Sequence, residues 1–315
     1  MALDADDPGK RGKVVLAGGS GFIGSALARA LLAQGREVVV LSRTGRAPGG
    51  ARGVEWDACT LGSWQSELDG AEAVINLAGE SISCKWSIEA KRRIVESRTS
   101  SAAAVATAIS ACQDAPRTWL NASAVGVYGN LDAEKVDESS GVGPAGGFLA
   151  DVCAAWESTV DVALLPSTRK VKLRIGFVLD RQGGALPILA RLATCFLGGQ
   201  AGGGRQGVSW IHLADLVSLA LWLLDNDLAG PVNACAPNPV SNRELMSAIR
   251  AVLRRPWSPP VPKPALILVG KLFGPDAEIT LGGQWVVPNV ALKNGFVFRF
   301  PELRGALEDL LGSAP

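Results

Sequence analysis

The chain has 315 residues, 31 Lys+Arg against 30 Asp+Glu, a formal net charge of +1 and 48% hydrophobic residues, which describes a globular protein with material for a substantial core. Near-neutral charge supplies no long-range field for a polyanion, and the longest basic run is Lys91-Arg92-Arg93, so nucleic acid is not an expected partner. The most apolar stretches, 186–197 and 213–224, are shorter than the roughly 20 residues a bilayer core demands, so no membrane association is expected.

In chain order, the first twelve residues are polar and charged and contain no apolar region ahead of a cleavage site, which points to the cytoplasm. Short β-branched runs at 13–16, 37–41, 54–56, 73–77, 119–122 and 171–175 predict strands. Between them, 22–34, 87–110 and 150–164 carry Ala, Leu and Ile at helical spacings of three and four. This alternation predicts an α/β fold, a Rossmann-type doubly wound parallel sheet with right-handed crossovers.

After residue 176 glycine-rich loops alternate with helices, and Ser241-Asn-Arg-Glu244 is a capping box opening a helix to 253. Five prolines within 256–264 read as a linker or stiff crossing, and the last helix is expected over 301–311. The expected division is a dinucleotide-binding domain over 1–175, with sheet elements returning to about 240, and a smaller C-terminal α/β substrate-side part over 176–315.

Six cysteines without a CxxC pair and a single histidine, His212, argue against a disulfide framework, a zinc site and chemistry that needs paired imidazoles.

Between the first strand and the first helix lies Gly18-Gly19-Ser20-Gly21-Phe22-Ile23-Gly24. In that context Gly18 allows the tight turn, Gly21 lets backbone approach a pyrophosphate at the helix N-terminus, and Gly24 lets helix and strand lie close. A structural turn would explain one of these glycines. The second strand ends in Ser42-Arg43-Thr44-Gly45-Arg46, with no acid to bind a ribose 2′-hydroxyl and an arginine placed to meet a 2′-phosphate, so NADP(H) is expected over NAD(H). Asp57 is either an adenine contact or a turn aspartate.

With these pieces on view, the chain resembles the extended short-chain dehydrogenase/reductase superfamily, and within it an atypical branch of epimerase-family proteins with a distinct C-terminal domain. The resemblance spans nearly the whole chain. Besides the glycine turn it rests on Asn76-Leu77-Ala78-Gly79-Glu80, Trp86 with Lys91-Arg92 and Ser97-Arg98, Ser123 to Gly129, Arg174 to Asp180, Gly207 to Asp215, and Gly295 to Pro301. It implies that Leu77, Ala78 and Gly79 line the cofactor, and that a homodimer forms through the long helices.

The superfamily implies hydride exchange with a nicotinamide, assisted by a Tyr-x-x-x-Lys pair and a Ser/Thr. This chain departs from that pattern. Aligning Glu157 with the superfamily's helix glutamate places Leu149 at the tyrosine position and Cys153 at the lysine position, and neither supplies a proton or a cation. Two hydroxyls are candidate substitutes: Tyr128, the only tyrosine, as acid or as loop packing, and Ser123 as substrate-orienting group or plain strand-end serine. Trp86, Arg205, Trp210 and His212 are expected on the substrate side. Trp86 alternatively anchors core, Arg205 either grips an anion or is solvated, and a lone histidine is usually a structural hydrogen-bonder.

The expected function is an NADP(H)-binding oxidoreductase or nucleotide-sugar-epimerase-like enzyme acting on a small molecule that the sequence does not name. The alternative is a non-catalytic dinucleotide-sensing or protein-interaction protein, linked to cell or organelle division.

Overall fold

The computed structural model describes residues 12–131, 134–143, 147–273 and 277–312. In chain order its strands are β1 (Lys13–Ala17), β2 (Glu37–Ser42), β3 (Arg52–Glu55), β4 (Ala73–Asn76), β5 (Thr118–Ala124), β6 (Lys135–Val136), β7 (Arg169–Ile175), β8 (Phe177–Leu179), β9 (Gly207–Val208), β10 (Trp210–His212), β11 (Gly230–Ala234), β12 (Val240–Ser241) and β13 (Trp285–Val286). The helices are α1 (Phe22–Ala33), α2 (Ile88–Ser110), α3 (Phe148–Asp161), α4 (Leu186–Thr194), α5 (Leu213–Asp225), α6 (Asn242–Val252), α7 (Lys263–Phe273), α8 (Glu278–Leu281), α9 (Asn289–Lys293) and α10 (Leu303–Leu311).

Valine runs such as Val14-Val15 and Val38-Val39-Val40 are at most 2% exposed, as strands covered on both faces require. Alternate residues enter opposite cores. Val14 and Leu16 pack with Leu27 and Leu31 of α1 and Leu216, Leu219 and Leu223 of α5. Val15 and Ala17 pack with Val105 and Ile109 of α2 and Trp156 and Val160 of α3. The result is a seven-stranded parallel sheet in the order β11-β7-β5-β4-β1-β2-β3, covered on both faces. The order reverses between β1 and β4, the switch point where such sheets open a crevice at their carboxyl edge.

A third core joins α4, α6 and α10 around Leu186, Leu245, Ile249, Leu307 and the fully buried Trp210. The capping box holds: Ser241 Oγ accepts from the Glu244 amide while the Glu244 carboxylate accepts from the Ser241 amide at 2.7 Å. Some boundaries differ from expectation. The proline-rich crossing ends at 262, because Pro264 sits in the first turn of α7, where a missing N–H costs no intrahelical bond. The last helix begins at Leu303 rather than 301. Among the described residues no helix is long and apolar enough to cross a membrane.

Candidate cofactor and substrate site

Close packing dictates the glycine turn. Gly18 has φ of +73°, and a Cβ there would lie 2.8 Å from the Ala78 backbone, so the turn presses directly on the loop after β4. Its amide donates to Leu41 O at 2.9 Å, which ties it to β2 as well. A Cβ on Gly24 would fall 2.5 Å from Gly19 Cα, the close approach the spacing predicts. Beside Gly21 the space is open, since a Cβ would meet only Gly18 O at 3.7 Å. No side chain caps α1 and no acid stands in its first turn, so the positive end of the helix is left for an anion. Ser20 and Gly21 are exposed, Gly19 is buried, and Phe22 and Ile23 are half-buried. The Phe22 ring lies under Gly183, where a Cβ would approach it to 2.2 Å, so the loop after β8 bounds the turn from the C-terminal side.

At the end of β2, Ser42 Oγ donates to Arg46 O at 2.8 Å, while Ser42 O accepts from Gly45 and Trp56 amides. These bonds leave Arg43 and Arg46 exposed, and among the described residues no carboxylate pairs with either. Asp57 takes the turn role: its carboxylate accepts from the Cys59 amide, the Thr60 amide and Thr60 Oγ1 at 2.9, 2.8 and 2.6 Å, bonds that hold it well below the usual carboxylate range. On the other side of β1, Asn76 Oδ1 accepts from the Ala78 amide at 3.1 Å and Asn76 Nδ2 donates to Asn121. The Leu77 amide donates to Ala17 O at 2.8 Å, so Leu77, Ala78 and Gly79 lie along the glycine turn.

The adjoining wall is α3. Leu149 and Cys153 both flank Gly126 of the turn after β5, at 3.9 and 3.7 Å from the position a Cβ would take there. Burial pushes the Cys153 thiol up to about 12, leaving it a neutral apolar group. Ser123 and Tyr128 belong to the interior. Ser123 Oγ donates to Glu157 Oε1 at 2.7 Å, and Arg174 forks onto the same carboxylate at 2.9 and 2.8 Å. Tyr128 donates to Asn233 Oδ1 at 2.9 Å and accepts from Arg174 Nη1 at 2.8 Å, while burial raises its phenol to about 12. At 3% and 2% exposure, both hydroxyls are engaged in this network, the arrangement that the loop-packing and strand-end alternatives describe.

Of the four residues expected on the substrate side, Trp86 stands by the wall. Its ring meets Phe148, the first residue of α3, edge-on at 4.9 Å, and Lys91 Nζ lies over both rings at 5.6 and 4.9 Å. Trp210 and His212 are both buried. Trp210 Nε1 donates to Asn238 O. His212 Nδ1 accepts from the Ala214 amide at 3.0 Å and caps α5, its ring stacks on Phe300 at 4.1 Å, and burial lowers its pKa. Arg205 is exposed on its loop.

The structure adds residues that the sequence reading assigned no role. Phe148 and Lys91 join Trp86, and Glu278 of α8 accepts from the Leu149 amide at 3.4 Å, so the C-terminal segment touches the start of α3. Arg98 lies under Gly79. The cations on α2 carried a readable signal. Arg92 and Arg93 have acids three or four positions away, whereas Lys91 and Arg98 have none.

A sequence model described as the NAD dependent epimerase/dehydratase family matches residues 14–156, and one described as a domain of unknown function, DUF1731, matches 261–310. The chain is 35% identical to "Epimerase family protein SDR39U1" of Mus musculus over 95% of this chain and 99% of that protein. It is also 35% identical to "Epimerase family protein SDR39U1 homolog, chloroplastic" of Arabidopsis thaliana, over 99% of this chain and 90% of that protein. The crystal structure of human epimerase family protein SDR39U1 with NADPH superposes with a TM-score of 0.84 and 33% identity, covering 95% of this chain and 98% of that one.

Proposed function

This chain belongs to the epimerase family of the extended short-chain dehydrogenase/reductase type, and from that membership we propose that it binds NADP(H) at the carboxyl edge of the sheet and exchanges hydride with a small molecule held against α3. One observation carries the reading: the glycine turn is pressed between β2 and the Ala78 loop, open beside Gly21, with Arg43 free at the end of β2 where an acid would select NAD(H). The residues fit the group. The Gly18 to Ile23 backbone would take the pyrophosphate, Arg43 the 2′-phosphate, and Leu77 to Gly79 the nicotinamide half. When bound, the nicotinamide supplies hydride donation or acceptance. This chain's part is to hold, orient and dry the site; Trp86, Phe148 and Lys91 offer a substrate an aromatic edge and a positive charge.

Titration with NADPH and NADH separately, followed by tryptophan quenching and energy transfer to the reduced nicotinamide, tests this. NADPH is expected to bind tighter, and Arg43→Ala to erase about tenfold of that preference, the scale of one charge-assisted contact. Equal binding of both sinks the NADP(H) assignment, and binding of neither sinks the site.

A second reading, a dinucleotide sensor or interaction protein without turnover, is favoured by Leu149, Cys153 and the buried commitment of Ser123 and Tyr128. It predicts NADPH binding without oxidation by any carbonyl substrate. We place the protein in a reducing compartment, the cytoplasm, on the strength of six unpaired cysteines. A homodimer through the long helices, which the resemblance implies, completes the reading, and light scattering decides it.

A further inference from the structure

A positive charge returns to the place where the superfamily's lysine is missing, and it comes from a different helix. Arg98 lies at the middle of α2, half-buried, with its Cζ 5.3 Å from the centroid of the Trp156 ring of α3. A Cβ on Gly79 would stand 3.2 Å from that Cζ and 3.4 Å from Nε. Gly79 follows Ala78, which abuts Gly18, so the guanidinium sits at the switch point one residue away from the glycine turn. Its charge and the Cys153 thiol act on one another electrostatically, which puts the two groups in one neighbourhood.

The other arginines of this helix are neutralised. Arg92 binds Glu89 and Glu96, and Arg93 binds Glu80. Among the described residues Arg98 has no ion pair, and its one hydrogen bond runs from Nη1 to Ile94 O of its own helix at 2.9 Å. A guanidinium carries five N–H donors and keeps its charge, so most of this donor set is unspent where burial disfavours a cation, with Glu80 and the Cys153 thiol acting on it electrostatically. The superfamily's lysine has two tasks, to lower the tyrosine pKa and to hold the ribose. With Leu149 in place of the tyrosine, only the second is left.

Resting on the NADP(H) reading above, we infer that Arg98 takes over that second task and donates hydrogen bonds to the ribose hydroxyls on the nicotinamide side of the cofactor. Lys91 is excluded from it, since its ammonium lies over Trp86 and Phe148, two turns nearer the start of the same helix.

The experiment compares NADPH with adenosine 2′,5′-bisphosphate, which has the adenosine half of the cofactor and lacks the nicotinamide ribose. In Arg98→Met the affinity for NADPH is expected to fall about tenfold while that for the bisphosphate stays within twofold, and Arg98→Lys is expected to fall between wild type and Arg98→Met. Arg43→Ala is expected to weaken both ligands. If Arg98→Met leaves NADPH binding within twofold, or weakens both ligands alike with a lower melting temperature, Arg98 is structural and the inference fails while the cofactor reading stands. Should Arg98→Met not fold, the ratio of the two affinities in Arg98→Lys decides on the same criterion. If the wild-type protein binds neither ligand, the cofactor reading fails first and takes the inference with it.

Discussion

Burial governs the chemistry of single side chains around α3. Cys153 and Cys235 are buried and their thiols are pushed up, whereas Cys59 and Cys195 are exposed, with the Cys59 thiol raised by its hydrogen bond to Asp57. Iodoacetamide at pH 8 is therefore expected to label Cys59 and Cys195 in the folded protein and spare Cys153 and Cys235, as read by mass spectrometry of peptides; labelling of Cys153 at the rate of Cys195 would contradict the buried wall. The Glu157–Arg174 pair is 4% and 3% exposed. Arg174→Met leaves that carboxylate without its fork and should cost about 3–5 kcal/mol in urea unfolding, because a buried charge that loses its partner keeps its desolvation penalty. A loss below about 1 kcal/mol would show that Lys172, 3.7 Å from the same carboxylate, already suffices. Glu157 was readable only as an alignment landmark. Its partners Ser123 and Arg174 lie 34 and 17 residues away, and Tyr128 meets Asn233 across 105 residues, separations over which local patterning carries no signal.

Elements were legible where their signal is local. The first strand, glycine turn and α1 appeared in the right places because β-branching, glycine spacing and helical periodicity all act within a few residues. β11 did not, since Gly230-Pro231 opens it and Asn233 sits buried beside its last residue, a composition that disfavours strands; the bonds from Tyr128 and to Val287 O satisfy that asparagine and only the fold reveals them. The helix α5 carries a pH dependence at its start. Burial lowers the His212 pKa below 6.5, against the opposing pull of Asp309 and Asp215. A depressed pKa means that the folded protein binds fewer protons than the unfolded chain below pH 6.5, so this contribution is present above 6.5 and is lost as pH falls through the folded value. The melting temperature should fall between pH 6.5 and 5 in the wild type and fall less steeply in His212→Asn, which keeps an N-cap acceptor and removes the titration. Equal slopes would show that carboxylates alone set the acid limb.

At the scale of the molecule, the parallel sheet and its switch point followed from the order of strands and helices, which leaves few right-handed topologies. What could not be read was how residues 277–312 tie onto the sheet and its covering helices. Asp215 at the start of α5 accepts from the Arg299 and Phe300 amides at 2.8 and 2.9 Å. Glu138 accepts from the Asn233 amide at 2.9 Å and the Val290 amide at 3.2 Å, and Asn233 donates on to Val287 O at 3.0 Å. Each of these bonds joins segments that no local rule connects.

The contact between Glu278 and the Leu149 amide has a temporal side. A chain emerging from the ribosome has its glycine turn, β1 and α1 in hand early, but Glu278 follows Leu149 by 129 residues and Val287 follows Asn233 by 54. Translation thus makes the glycine turn long before the segment that braces α3 and β11, so a nascent chain holds that turn before its brace exists.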